Sequence, residues 1–160
     1  MKLIGQPATA PPAPPDPAAL DAASAEAQAA DQVLAEPIFR IEKHLSSLAI
    51  NVPAWVKVKA WDTQWGEFWV RELGYAWLSH QGIWGIAIRE THGREDAPDD
   101  ERVNIWAFNE APRKSRLSAI EKLPDLLTDL TKETHKTARR MREKAAEAAA
   151  LAALLTARKK

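Results

Sequence analysis

The sequence predicts an α+β fold, a three- to four-stranded antiparallel meander sheet with an N-terminal helix and a long C-terminal helix, preceded by a disordered Ala/Pro-rich leader. Three observations carry that prediction. Between Ala54 and Asn109 the apolar pattern has a period of two, whereas on both sides of that stretch it has the three-and-four spacing of helices. Turn residues divide the middle stretch into short segments. Finally, one hairpin register, set by its loop alone, brings opposite charges together at its far end.

The chain divides into four parts: a leader over 1–19, a marginal Ala-rich helix over 20–35, a compact α+β domain over 36–131 and a basic, Ala-rich projecting helix over 132–160. Gln6 to Ala19 is Pro and Ala with one acid, Asp16, and has no side chain to anchor it in a core. Leu20 to Ala35 has high helix propensity but a thin apolar face. Pro37 suits the first turn of a new helix, whose Ile38, Ile41, Leu45 and Leu48 share one face before Asn51-Val52-Pro53 ends it.

Ala54 to Ala60 reads as an edge strand with Lys57 and Lys59 outward, and Asp62 to Gly66 as a turn. Glu67 to Leu78 and Ile83 to Glu90 are strands joined by Ser79-His80-Gln81-Gly82, in which Gly82 supplies a positive φ. If Leu78 faces Ile83, then Trp77 faces Trp84, Tyr75 faces Ile86, Leu73 faces Ile88, Glu72 faces Arg89 and Arg71 faces Glu90. Bulky residues then fill one face, including Trp77 and Trp84, and form the expected core. Gly74, Ala76, Gly85 and Ala87 line the other face, which a backbone, or Trp106 and Phe108, would cover. Thr91 to Glu101 is expected to be a polar loop leading to a fourth strand, Arg102 to Asn109. Arg113 to Lys122 forms a short helix, and Pro124 opens a second. The heptad positions of that second helix hold Thr134, Thr137 and Lys144, a seam too polar for a long coiled coil.

Composition removes several function classes. There is no cysteine, so disulfides, thiolate zinc sites and thiol nucleophiles are absent. Met1 to Ile4 lacks the apolar run of a secretory signal, and Ala148 to Leu155 is far shorter than the ~20 residues of a membrane helix. A cytoplasmic location without membrane contact is the expectation. The formal charge is zero, but residues 1–131 carry 13 Lys/Arg against 19 Asp/Glu while residues 132–160 carry nine against three. An acidic body is thus joined to a basic tail.

No arrangement of residues implies catalysis. Glu72 and Glu90, the imaginable pair of hydrolase carboxylates, each receive an arginine and lie on opposite faces. Five carboxylates between Glu95 and Glu101 lack the spacing of a calcium loop. His44, His80, His92 and His135 are isolated, so no metal or cofactor is expected, and no glycine builds a phosphate cradle.

Two features suit binding. Seven tryptophans are many for this length. Trp55, Trp61 and Trp65, on and just beyond the Lys-bearing first strand, are the ones expected to be exposed, rimmed by Lys57 and Lys59. In the tail, Lys136, Arg140 and Lys144 form a stripe flanked by Arg139 and Arg142. The preferred reading is a non-enzymatic protein–protein interaction or regulatory module, using the Trp-rich sheet and the charged helix on a protein partner or a second copy. The alternative is a nucleic-acid-binding accessory protein using the basic helix. A small-ligand enzyme with an unrecognised site ranks third.

Overall fold

The computed structural model describes residues 16–157, so the leader reading for residues 1–15 lies outside the described residues. The described residues separate into two compact units that divide between Leu34 and Ala35. In order, the elements are α1 (Pro17–Ser47), β1 (Ala54–Asp62), β2 (Glu67–Leu78), β3 (Ile83–Arg94), β4 (Ala97–Ala107), a 3₁₀ turn (Phe108–Glu110), α2 (Arg113–Ile120) and α3 (Leu123–Ala157). The four strands form one antiparallel sheet in sequence order.

The first helix begins earlier than expected. Asp16 caps it, its carboxylate accepting the Ala18 backbone N–H at 3.0 Å, and Pro17 occupies the first helical position, where its missing N–H is harmless. Residues 17–19 therefore belong to a helix, not to the leader. Pro37 does not start a second helix but lies within the first, on an exposed position. Past it, Ile38 and Leu45 are buried, as the apolar spacing implies.

The β2–β3 register holds in full, from Leu78 opposite Ile83 to Arg71 opposite Glu90, and continues to Glu67 opposite Arg94. Gly82 adopts φ +67° in the loop. Strand alternation assigns the faces. On the first face, Leu73, Tyr75, Ile86 and Ile88 are fully buried. Trp77 is not part of that core, being 54% exposed, and Trp84 is half-buried. Both sit at the loop end of the hairpin and pack on each other edge to face at 6.3 Å, with Trp84 stacked on Tyr75 at 5.6 Å.

Cover for the small-residue face comes from β1. Trp106 pairs with Ile88 and so belongs to the bulky face, while Phe108 is buried in the 3₁₀ turn. Trp55 lies flat over Gly74, and its outer side carries the Arg89 guanidinium 4.1 Å from the ring centre. Arg89 is in turn bonded to Glu72 at 2.7 Å. Exchanging Glu72 and Arg89 is expected to restore most of the stability lost in Glu72→Arg alone. The coupling should be about 1 kcal/mol, because the pair is partly solvated; additive losses in chemical denaturation would exclude direct pairing.

Three strands differ in extent from expectation. β3 and β4 extend to a tight turn at Glu95-Asp96, so the acidic stretch expected as a long loop is mostly the start of β4. Its carboxylates alternate along an edge strand in water, where charge does not oppose strand formation. β1 also runs on to Asp62, through a bulge between Lys57 and Lys59.

The C-terminal part of α1 makes a polar contact with the sheet. The Glu42 carboxylate accepts the Ile86 backbone N–H at 2.8 Å, next to Ala87, the last β3 residue paired with β4. Burial pushes the Glu42 carboxyl above its usual range, and this hydrogen bond opposes the shift.

Candidate functional site: an aromatic and basic row at one end of the sheet

Strand pairing orders the bulky face into rungs. The rung Val56, Leu73, Ile88, Trp106 belongs to the core region. Next comes a charged rung, Lys59, Arg71, Glu90 and Asn104. The third is Trp61, Trp69, His92 and Arg102, one residue from each strand. A continuous row of two indoles, an imidazole and a guanidinium thus crosses the whole sheet.

The charged rung anchors this row. Arg71 donates to Glu90 at 2.7 Å and to the Ser118 hydroxyl of α2 at 2.9 Å, while the Ser115 hydroxyl donates to the same Glu90 oxygen at 2.9 Å. The arginine and glutamate side chains are only 12% and 13% exposed. Burial raises the Glu90 carboxyl, but the hydrogen bonds from Arg71 and Ser115 and the Arg71 charge outweigh it and hold the group below the usual carboxylate range. The fixed Arg71 guanidinium stacks on Trp69, 4.7 Å from the ring centre, and Trp69 leans on His92 at 6.2 Å. Side chains two positions further out therefore take their orientation from a buried network bonded to α2.

Beyond the charged rung the sheet opens to solvent. Trp61 is 55% exposed, and His92 and Arg102 are exposed. They line a shallow hollow of about 280 Å³ with Trp69, Phe68 and the flanking Glu67, Arg94 and Asp100. Trp65, 75% exposed, stands in the neighbouring β1–β2 turn, which is shaped by Thr63 and by Gly66 at φ +74°. The Gly66 carbonyl accepts the Glu95 N–H at 2.8 Å, so the two turns at this end are joined and Trp65 lies beside the acidic turn. Arg94 is bonded to Asp96 at 2.9 Å. Glu67, Glu95, Asp99, Asp100 and Glu101 have no ion pair among the described residues, so the rim is acidic.

The three tryptophans expected to form one surface are divided by the β1 bulge. An extra residue between Lys57 and Lys59 turns the following positions over, so Trp55 and Lys57 belong to the small-residue face and Lys59 and Trp61 to the bulky one. Trp55 is a cover for Gly74, whereas Trp61 and Trp65 are free. Sequence reasoning did not single out Trp69, His92 or Arg102. The signal was present, because continuing the β2–β3 register outward places Trp69 opposite His92.

The tail stripe is partly neutralised within α3. Lys136 lies 3.3 Å from Glu133, Lys144 2.7 Å from Glu147 and Arg139 3.9 Å from Glu143. Arg140 and Arg142 have no ion pair among the described residues. Every described side chain from Arg139 to Thr156 is exposed.

Among the described residues no group of three His, Asp or Glu is placed to hold a metal, and no helix is long and apolar enough to cross a membrane. Compared with known proteins, the chain matches no family model, no curated protein and no solved structure.

Proposed function

We propose that this protein is a non-enzymatic interaction module of the cytoplasm whose docking surface is the Trp61–Trp69–His92–Arg102 end of the sheet. The observation that supports the reading is the row itself. Four side chains suited to recognition occupy one rung, and the least exposed of them, Trp69, is stacked by the guanidinium of a largely buried ion pair. Preorganised aromatic and arginine side chains at a solvent-facing patch are the usual anchors of protein contacts. Glu72 and Glu90, the neighbouring-strand carboxylates that could suggest a hydrolase, lie on opposite faces and are each held by an arginine, which leaves neither free for acid–base work.

The acidic rim favours a protein over a polyphosphate, since Glu67, Glu95 and Asp100 would repel phosphates approaching the indoles. Affinity capture with the full chain, in parallel with nuclease and with a Trp61→Ala, Trp65→Ala variant, tests this. Partners retained after nuclease and lost in the variant are expected. Partners released by nuclease and retained by the variant would move the function to nucleic acid and the α3 helix.

A further inference from the structure

We infer that the docking surface takes a second copy of this chain, the Arg139-Arg140-Met141-Arg142 segment of one α3 seating on the Trp61 and Trp65 end of another sheet. This rests on the reading of that sheet end as a docking surface. Three features of the two surfaces match.

The first is the treatment of tryptophan within the sheet. Trp69 and Trp55 each carry an arginine guanidinium against the ring, at 4.7 and 4.1 Å. Among the described residues no guanidinium lies over Trp61 or Trp65, whose side chains are exposed, and arginine is the cation that most often stacks on an indole. The second is charge. Among the described residues Glu67, Glu95 and Asp100 beside these rings form no ion pair, with Arg94 the cation that feels Glu67 and Asp100, and Arg140 and Arg142 on the helix form none either. The third is shape and polarisability. Met141, 68% exposed, is the only large apolar side chain on α3 between Leu130 and Leu151, and it stands between the two free arginines. A thioether packs well against an indole edge.

The segment cannot serve its own sheet end. α3 passes β1 with Asp125 beside Lys57 and Glu133 beside Pro53, so it leads away from the Trp61 end, and it continues unbroken to Ala157, with Met141 about 16 Å beyond Leu130 at 1.5 Å per residue. With no hinge, the segment is held out for another molecule. The contact joins two different surfaces, so in a joined pair one chain keeps a free sheet end and the other a free tail, and the assembly grows head to tail. It is also small beside the ~800 Å² per partner of a standard interface, so it is weak and salt-sensitive.

Sedimentation of the full chain tests the inference. At about 50 mM salt the average mass should climb with concentration past that of a dimer, and at about 500 mM it should return to the monomer, as screening shortens the reach of the charges. The sheet-end variant Trp61→Ala, Trp65→Ala and the tail variant Arg140→Gln, Met141→Gln, Arg142→Gln should each be monomeric alone. Mixed in equal amounts they should form heterodimers and nothing larger, since only one complementary contact remains. A second sheet-end variant, Glu95→Lys with Asp100→Lys, alters charge without removing an indole and should behave as the first. A wild type that stays monomeric at low salt, or variants that associate as the wild type does, or a mixture that stays monomeric, would overturn the inference. If that happens while partner capture still depends on Trp61 and Trp65, the docking surface stands and only its occupant changes.

Discussion

Gly74→Ala is expected to destabilise the protein by about 3 kcal/mol, lowering the thermal midpoint by roughly 10 °C. A Cβ at this position would stand 2.1 Å from Cε3 of Trp55 and within 2.5 Å of two further ring atoms. The clash is with a rigid indole, so the ring must leave the sheet. Moving it uncovers Ala87, which is 0% exposed, and breaks the Arg89 stack. Conformational preference works the other way, because alanine restricts the unfolded chain more than glycine does. A double-mutant cycle separates the two effects. In a Trp55→Ala background the same Gly74→Ala change should cost less than ~0.5 kcal/mol, since the obstructing ring is gone. Equal losses in both backgrounds would show that Trp55 does not rest on Gly74.

Gly74 and its cover also mark where the sequence could be read and where it could not. The β2–β3 pairing was legible from Leu78 opposite Ile83 to Arg71 opposite Glu90, because a short loop with Gly82 sets the register and each next pair follows from strand periodicity. The helices flanking the sheet were legible from apolar spacing. What escaped was non-periodic. One extra residue between Lys57 and Lys59 reverses the faces of everything after it, so Trp55 and Trp61, six positions apart, look like neighbours on one face and are not. The β3–β4 turn was hidden because Glu95 to Glu101 resembles a solvated loop in composition, while on an edge strand those same charges are tolerated. Pro37 signalled a helix start that the structure does not use. The candidate row needed all three strand pairings at once. Only one of them was available from the sequence, which is why Trp69 and His92 were passed over although they face each other within it.

The second large effect is expected at the ion pair beneath that row. Glu90→Ala should destabilise the fold by about 3 to 5 kcal/mol, because it leaves the Arg71 guanidinium nearly buried with no carboxylate. Ser115 and Ser118 remain beside it, but neither carries the charge that balances an arginine. Glu90→Gln should be milder, since an amide oxygen still accepts from Arg71 and Ser115, and it isolates the charge. The sign of its pH dependence follows from the depressed carboxyl of Glu90. A group whose folded pKa lies below its unfolded value, here the ordinary 4.5, adds stability that is complete above that value and is lost as pH falls through the folded one. The wild type should therefore exceed Glu90→Gln in denaturation free energy at pH 7. The difference should begin to shrink below about pH 4.5 and disappear in stronger acid. The substitution should also reach the docking surface. Without the carboxylate charge, the amide and Ser118 hold Arg71 less firmly over Trp69, and the indole is oriented less strictly toward His92. Near-ultraviolet circular dichroism of Glu90→Gln at pH 7 should then show a reduced tryptophan signal while the far-ultraviolet spectrum is unchanged. A stability difference that persists undiminished to the lowest pH, or a tryptophan signal identical to that of the wild type, would remove Glu90 as the support of the row.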